Sequence, residues 1–546
     1  MGPRPRILAV AIAAFALVCA FAVVPARTLA STTQRSSLMD DDELEYSSPS
    51  HVVSRLEQLR ALGVDVVKVS MMWYLVAPDP GSHHRPSFDA TDPAQYPPGA
   101  WERYDLIARE ATALGMQVYF QIIPRVPIWA LPRGQAVQGS DLSKAPDPDL
   151  FRQFVLAAGR RYSGSFTNSE TRSYPTPRLF GKPVGSAQQQ SITSSTIPRV
   201  SEWGIWNEPN ERSWLSPYHR TISHHRTQWL QPITYRRLVD AAYASLIASG
   251  HRGDTILIGE TANNGILDPL VFLRALYCVD GSLRPLRGAA ADVFGCSASG
   301  NRGAFARAHP GLFASTGWAH HPYLFDHPAD QHEPNPNKVS IADLPTLERI
   351  LNGIFDLYGR GRRGGVPLYA TEWGYKSDPP DPFSKTKLDQ QASWMNQGEY
   401  LTWREPYVRE LNQFELVDSP PRPGFPLNTR AAWGSFQTGL RLRNGQAKPS
   451  LAAFRLPIWV PVPRHGASVA VWGQLRPADH STTQVGVIEF TPRGGSRWKT
   501  VQKVKTSSPE GYLVAHVRIP RAGSVRLGWT QPGTRTELNS LAVSVS

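Results

Sequence analysis

The chain has 546 residues, 41% of them apolar, with 16 tryptophans. That length exceeds one small domain and allows a large one plus an accessory module, and the composition excludes a disordered chain. The formal charge of +13 is scattered, apart from short clusters such as GRGRRGG at 359–365, so a nucleic-acid partner is not expected. Attraction to an anionic cell surface or acidic polymer is one reading of the excess charge, and a generally basic proteome is the other.

Arg4 and Arg6 precede an unbroken apolar run from Ile7 to Val24, and small residues follow up to Ala26 and Ala30. This pattern predicts a secretory signal peptide over residues 1–30 and a secreted or cell-surface protein. The run is also long enough to serve as an uncleaved anchor, which would be the chain's only contact with a membrane. Past the signal two cysteines are left, Cys278 and Cys296. An exported chain meets an oxidising environment, so one disulfide closing that loop is expected, with two free thiols as the other reading.

From there strand-like and helix-like segments alternate. A short strand near QRSSLMDD (34–41) comes first, then a helix over SPSHVVSRLEQLRAL and the buried strand GVDVVKVSMMW (63–73). A helix over 101–114 leads to a strand at 115–124, and a helix over DPDLFRQFVLAAGRRY leads to VSEWGIWNEPN. The helix TYRRLVDAAYASLIASG precedes strand 254–260, strand 315–323 follows, and IADLPTLERILNGIFDLYGR precedes strand 366–375. A last helix, QASWMNQGEYLTWREPYV, precedes strand 409–418. Eight near-continuous apolar strands alternating with helices predict a parallel (β/α)8 TIM barrel. An open doubly wound sheet would carry a Gly-rich phosphate loop after an early strand, and none is present.

Residues 164–198 and 278–303 read as insertions, the first a long polar loop. From about residue 465 only short strands with turns remain, which predicts a small antiparallel β-sandwich whose core holds Trp472, Trp498 and Trp529. A sugar-stacking platform is the other reading of those rings. The expected organisation is therefore a barrel over 31–455 and a β-sandwich over 456–546.

In such a barrel the chemistry sits at the C-terminal ends of the strands. Glu208 ends the fourth predicted strand and Glu372 the seventh, and these two strands face each other across the mouth. Two carboxylates, one protonated and one ionised, are what glycosidic bond cleavage requires. A lone glutamate at a strand end is as readily a salt-bridge partner; two at facing strand ends, each flanked by tryptophan, are better explained as a pair.

WNEPN (206–210) and TEWGY (371–375) resemble the two signatures of the clan of retaining (β/α)8 glycoside hydrolases that includes the cellulase family (family five) and the β-xylosidase-like family thirty-nine. The resemblance spans about residues 35–455 and takes in WAHHPY and GLRLRNGQAKPSLAAF in order. It implies Glu208 as general acid/base and Glu372 as nucleophile, with Asn207 on the substrate 2-hydroxyl. It also implies His321 and Tyr323 as a strand-six pair in the cleft and Trp373 as the floor of the subsite holding the attacked sugar. Many members carry Arg on strand two beside the nucleophile; this chain has Lys68, which supplies a charge without the bidentate geometry. Trp73, Trp129 and Trp214 are stacking candidates, with core packing as the alternative. His219, His224 and His225 are irregularly spaced, and solvation or packing explains them better than a metal.

The expected activity is retaining hydrolysis of an O-glycosyl bond in a polysaccharide or oligosaccharide, with no cofactor. The alternatives are a transglycosylase using the same residues and a non-catalytic cell-surface polysaccharide-binding protein.

Overall fold

The computed structural model describes residues 30–132, 143–168, 172–174, 178–179, 182–183, 188–190, 195–461, 468–478, 482–532 and 535–546. The predicted signal peptide, apart from its last residue, lies outside them. Among the described residues no helix is long and apolar enough to cross a membrane.

Eight parallel strands close into a barrel: β1 (Arg35–Met39), β2 (Val66–Met72), β3 (Gln117–Ile123), β4 (Glu202–Ile205), β5 (Thr255–Ala262), β6 (Gly317–His321), β7 (Leu368–Trp373) and β8 (Val408–Phe414). Each is followed by a helix: α1 (Pro49–Ala61), α2 (Glu102–Ala113), α3 (Pro148–Arg161), α4 (Leu230–Ala248), α5 (Pro269–Leu276), α6 (Leu344–Leu357), α7 (Leu388–Trp403) and α8 (Pro449–Arg455). The helices form where apolar residues recur every three or four positions. In α6, Leu344, Leu347, Ile350, Leu351, Ile354 and Phe355 make the buried stripe. Starts are marked by proline in the first turn of α1, α3, α5 and α6, and Asp147 caps α3 by accepting from the backbone N–H of Asp149 and Leu150.

Outward-facing strand residues such as Val67, Val69 and Met71 pack against this helical ring. The inward-facing ones stack in layers. Arg35, Glu202 and Glu410 form an ionic floor. Val66, Tyr119, Leu257, Ala319 and Tyr369 form an apolar middle layer. Lys68, Gln121, Glu260, His321 and Glu372 form a polar top. Gly204 of β4 points into this interior, and a Cβ there would meet the Tyr119 hydroxyl at 2.3 Å. A side chain at 204 would thus block the reach of that tyrosine toward the top layer.

The insertion predicted at 164–198 joins the end of α3 to the start of β4, so it leaves the barrel from the face opposite the strand C-termini. Its base is paired: Thr167–Asn168 runs antiparallel to Ser195–Thr196, and Arg172–Tyr174 to Gln188–Gln190. The described residues of this segment are paired strands rather than a plain loop, and their attachment between α3 and β4 lies away from the mouth. Cys278 and Cys296 are joined by a disulfide. Buried Arg236 of α4 donates to the carbonyls of Ala275, Leu276, Phe294 and Gly295, fixing both ends of the same segment.

The C-terminal strands form two antiparallel sheets. β9 (Ile458–Trp459), β10 (Ser468–Gln474) and β13 (Tyr512–Arg518) make one; β11 (Gln484–Pro492), β12 (Lys499–Thr506), β14 (Gly523–Thr530), β15 (Glu537–Asn539) and β16 (Val543–Val545) make the other. Their facing sides enclose a core of Ile488, Phe490, Val471, Val525, Leu527 and Trp529. Trp472 and Trp498 depart from the expected core. Trp472 packs with Tyr400, Trp403 and Tyr512 between sandwich and barrel. Trp498 is half-buried beneath the Arg526 guanidinium.

This sandwich is fastened to the N-terminal end of the barrel. Tyr512 donates to the Gln34 carbonyl at 3.1 Å, Ser508 to Thr32 at 3.1 Å, and Arg476 reaches both Ser36 and the buried Glu399 of α7. Its place is under the barrel, where it braces the fold on the side away from the strand C-termini.

Candidate active site

β4 ends at Ile205, and the chain then turns through two left-handed residues, Trp206 (φ 72°) and Glu208 (φ 41°). Non-glycine residues adopt that region at a cost. Here the turn is fixed because Trp206 donates its indole N–H to the Trp214 carbonyl at 3.0 Å and the Glu208 backbone N–H donates to the Glu260 carbonyl at 2.9 Å. The effect is to swing the Glu208 carboxylate over the barrel mouth, where its side chain keeps 18% exposure.

Glu260 is the residue that sequence reasoning passed over. It lies inside DTILIGE, on β5. In a regular strand with Leu257 facing inward, Glu260 would face the helices. The register slips between Ile258 and Thr261, with Gly259 at φ 104° and Glu260 at φ 45°. This β-bulge turns Glu260 into the barrel. A Cβ on Gly259 would meet the Ala319 carbonyl at 2.5 Å, so the bulge needs glycine. The signal in the sequence was a Gly-Glu pair at the end of an apolar strand.

A similar irregularity follows Ala370 in β7. Thr371 and Glu372 face the interior, while the Trp373 ring turns to the helical side, packed on Gly398 of α7 and against Tyr375 at 5.3 Å. Trp373 is 2% exposed. It is part of the wall behind the site and does not floor a sugar subsite, contrary to the expectation. Trp73 is likewise core, stacked on Phe154 at 5.0 Å, and Trp129 lies edge-on to it at 5.5 Å. Trp214 stays half-buried beyond Glu208, with the Arg125 guanidinium 5.7 Å from its ring.

The remaining expected residues come together. One oxygen of Glu208, one of Glu372 and a ring nitrogen of His321 lie within 4.8 Å of one another. His321 places Nδ1 3.0 Å from Glu208 and 3.5 Å from Glu372, and Nε2 2.8 Å from Glu260. Lys68 sets Nζ 3.2 Å from Glu372, 3.0 Å from the Thr371 carbonyl and 3.5 Å from Glu260. Thr371 donates to Glu260 at 2.7 Å, and the Tyr119 hydroxyl donates to its other oxygen. Tyr323 donates to Glu372 at 3.5 Å. Gln121 donates to the Asn207 side-chain oxygen at 2.8 Å, which fixes the orientation of the Asn207 amide. Asp41, from the loop after β1, accepts from the Ser70 backbone N–H at 3.1 Å beside this group.

These contacts set the charges. Burial pulls His321 down, but the Glu372 charge and the hydrogen bonds to Glu208 and Glu260 outweigh it and leave its pKa at about 9. Burial pushes Glu260 up, but the Lys68 charge and the His321 and Tyr119 hydrogen bonds hold it at about 2. Lys68 is raised: burial lowers it, and the Glu260 and Glu372 charges more than compensate. Glu208 is raised, chiefly by burial, against the lowering effect of His321. At neutral pH the cluster therefore holds two cations, an anionic Glu260 and a Glu208 that retains its proton more readily than an ordinary carboxyl. Three donors at this spacing would also suit a metal, but both ring nitrogens of His321 already face carboxylates and Lys68 sits on Glu372. The cluster supplies its own positive charge.

On the same face the loops after β6, β7 and β8 enclose a cavity of about 290 Å³ whose lining includes Phe325, Asp326, Lys376, Asp381, Phe383 and Trp433. The Phe325 ring stacks on Tyr323 at 5.3 Å.

No protein-family model matches the chain, and no curated protein does. Among solved structures, a glucosidase from Croceicoccus marinus is similar at 11% identity, covering 90% of this chain and 94% of that one, with a TM-score of 0.46. A GH5_18 structure from Streptomyces cattleya in complex with GlcNAc is similar at 13% identity, covering 78% of this chain and 79% of that one, with a TM-score of 0.40. A fungal β-1,4-galactanase is similar at 13% identity, covering 78% and 99%, with a TM-score of 0.40.

Proposed function

We propose that the protein is an exported, retaining O-glycoside hydrolase acting on a polysaccharide or oligosaccharide. The observation that carries this reading is that one carboxyl oxygen of Glu208 and one of Glu372 lie within 4.8 Å of each other at the strand C-termini, so the two groups flank one narrow site. Double displacement uses carboxyl groups about 5–5.5 Å apart, whereas inversion needs about 6.5–9.5 Å to admit a water between them. The unequal environments of the two support a division of labour. Glu208, raised by burial, is suited to donate a proton. Glu372, against Lys68 and Tyr323, is suited to attack.

In this reading Glu372 attacks the anomeric carbon while Glu208 protonates the leaving oxygen, giving a covalent glycosyl-enzyme. Glu208, now ionised, takes a proton from water, which attacks on the face the leaving group vacated and displaces Glu372 from the opposite one, so the configuration is retained. The Asn207 amide donates to the 2-hydroxyl, a contact that strengthens as the ring flattens toward the oxocarbenium ion. The cavity beyond Tyr323 gives room for a further unit of the chain. The apolar leader supports export.

The test is a polysaccharide panel with product size and anomeric form read by NMR. Retained product is expected from the native protein, with no turnover but preserved binding for Glu372→Gln. Inverted product, or unchanged sugar release by that variant, overturns the reading.

A further inference from the structure

Glu260 sits directly below the two glutamates of the proposed mechanism, and nothing in that mechanism uses it. It is fully enclosed yet surrounded on every side by groups that favour a carboxylate. Lys68 comes from β2, Tyr119 from β3, His321 from β6 and Thr371 from β7. His320, the neighbour of His321, faces the other way, bonded to Thr261 and to the Val339 carbonyl. A bulge with two left-handed residues is spent on bringing Glu260 to this place.

Resting on the glycosidase reading, we infer that Glu260 is a positioning residue that keeps a proton on both ring nitrogens of His321, so that the Nδ1–H donates to Glu208 and leaves the Glu208 proton on the oxygen facing the leaving group. The alternative protonation explains why this matters. A neutral His321 donating Nε2–H to Glu260 would present an Nδ1 lone pair 3.0 Å from Glu208. Glu208 would then point its proton inward, at the ring, and could not give it to substrate. With Glu260 ionised, Nε2–H and Nδ1–H are both donors. The single Nδ1–H, 3.0 Å from Glu208 and 3.5 Å from Glu372, then holds the protonated Glu208 and the Glu372 carboxylate at a fixed separation. The strong upward shift of His321 agrees with this state.

The charged and titratable groups facing His321 are Glu208, Glu260, Glu372, Lys68 and Tyr323. Removing one anion from this set makes every remaining proton easier to lose. The first test needs no variant and no turnover: NMR titration of 15N-histidine-labelled full-length protein, with His321 assigned by its absence in His321→Asn. His321 should stay doubly protonated at neutral pH and titrate well above a free histidine. In Glu260→Gln its midpoint should fall by about one to three pH units. A wild-type His321 that titrates like a free histidine overturns the inference even if Glu260→Gln does not fold.

The second test is the pH profile of kcat/KM on whichever glycan is turned over. In Glu260→Gln the basic limb should move to lower pH, and Thr371→Val, which removes one hydrogen bond but no charge, should leave both limbs in place. A uniform fall in rate with unmoved limbs would mean a merely structural role. Absence of turnover on every glycan with a high His321 midpoint would defeat the glycosidase reading and leave the protonation state standing; turnover with an ordinary midpoint would do the reverse.

Discussion

The barrel holds two buried ionic clusters, one at each end, and they behave differently. At the floor, Arg35 lies 2.7 Å from Glu202 and 2.6 Å from Glu410, and the two carboxylates are 1% and 0% exposed. At the mouth, Glu208 and Glu372 are 18% and 9% exposed. Floor and mouth share residue types, burial and short contacts. They differ in the ratio of cations to carboxylates and in access to solvent. The floor gives two carboxylates one guanidinium, so Glu202 is driven up to about 8, by burial first and then by the Glu410 charge, against the pull of Arg35. The mouth gives three carboxylates two cations and leaves two of those carboxylates open to a ligand. Burial and perturbed ionisation alone do not make a reactive site; an outlet at the strand C-termini does.

The contrast is sharpest within one strand. Glu202 and Glu208 both lie in SEWGIWNEPN, the first opening β4 and the second three residues past its end. Glu208→Gln should cut kcat/KM by about 10²–10⁴-fold, and Glu372→Gln should remove turnover altogether. Glu202→Gln should leave kcat/KM within about twofold per folded molecule, since a surface-independent structural role does not enter the transition state. If Glu202→Gln were as damaging as Glu208→Gln, the division between floor and mouth would be wrong.

Stability should show the opposite pattern. Arg35→Met leaves two enclosed carboxylates without their cation, and breaking a buried pair from one side costs about 3–5 kcal/mol. Denaturant unfolding should report that loss, with kcat/KM of the remaining folded protein unchanged. At the mouth, Lys68→Met removes the cation that lies 3.2 Å from Glu372 and 3.5 Å from Glu260, so kcat/KM should fall by about 10–10³-fold. Lys68→Arg should not restore it. Lys68 is wholly enclosed, with the Thr371 carbonyl at 3.0 Å and Tyr119 5.6 Å away, and a guanidinium is larger and planar.

Much of this was legible in the amino-acid sequence, for a physical reason. Eight apolar strands separated by amphipathic helices have one economical closure, and that closure places Glu208 and Glu372 together. What escaped was whatever depended on a break in alternation. Regular alternation from the inward-facing Tyr369 would turn Trp373 inward and Glu372 outward, and the irregularity after Ala370 reverses the two. Glu260 looks helix-facing until the bulge at Gly259 is known. The attachment of the 164–198 segment was open until the order of elements showed it to be a helix-to-strand connection, on the floor side. Lys68 in place of arginine left the bracing of Glu372 unsettled on the page of letters, because a single distance of 3.2 Å decides it.

The smallest expected effect is also the most direct probe of the floor. In the folded protein Glu202 titrates at about 8, above the ordinary 4.5, so the folded state binds more protons than the unfolded chain between those values. Stability from this pair is therefore complete below about pH 4.5 and is lost as pH rises toward 8. Asp40 and Glu399, both raised to about 7 by burial, tilt the curve the same way, so the informative quantity is a difference between proteins. Glu202→Gln replaces the protonated acid by a neutral amide and leaves Glu410 alone with Arg35. Its unfolding free energy should fall less than the wild type's between pH 5 and pH 8, by up to about 3 kcal/mol at about 1.4 kcal/mol per pKa unit. Parallel losses in the two proteins would show that the floor carries no shared proton. The two carboxylates would then both be ionised around Arg35, and the difference drawn between floor and mouth would reduce to solvent access alone.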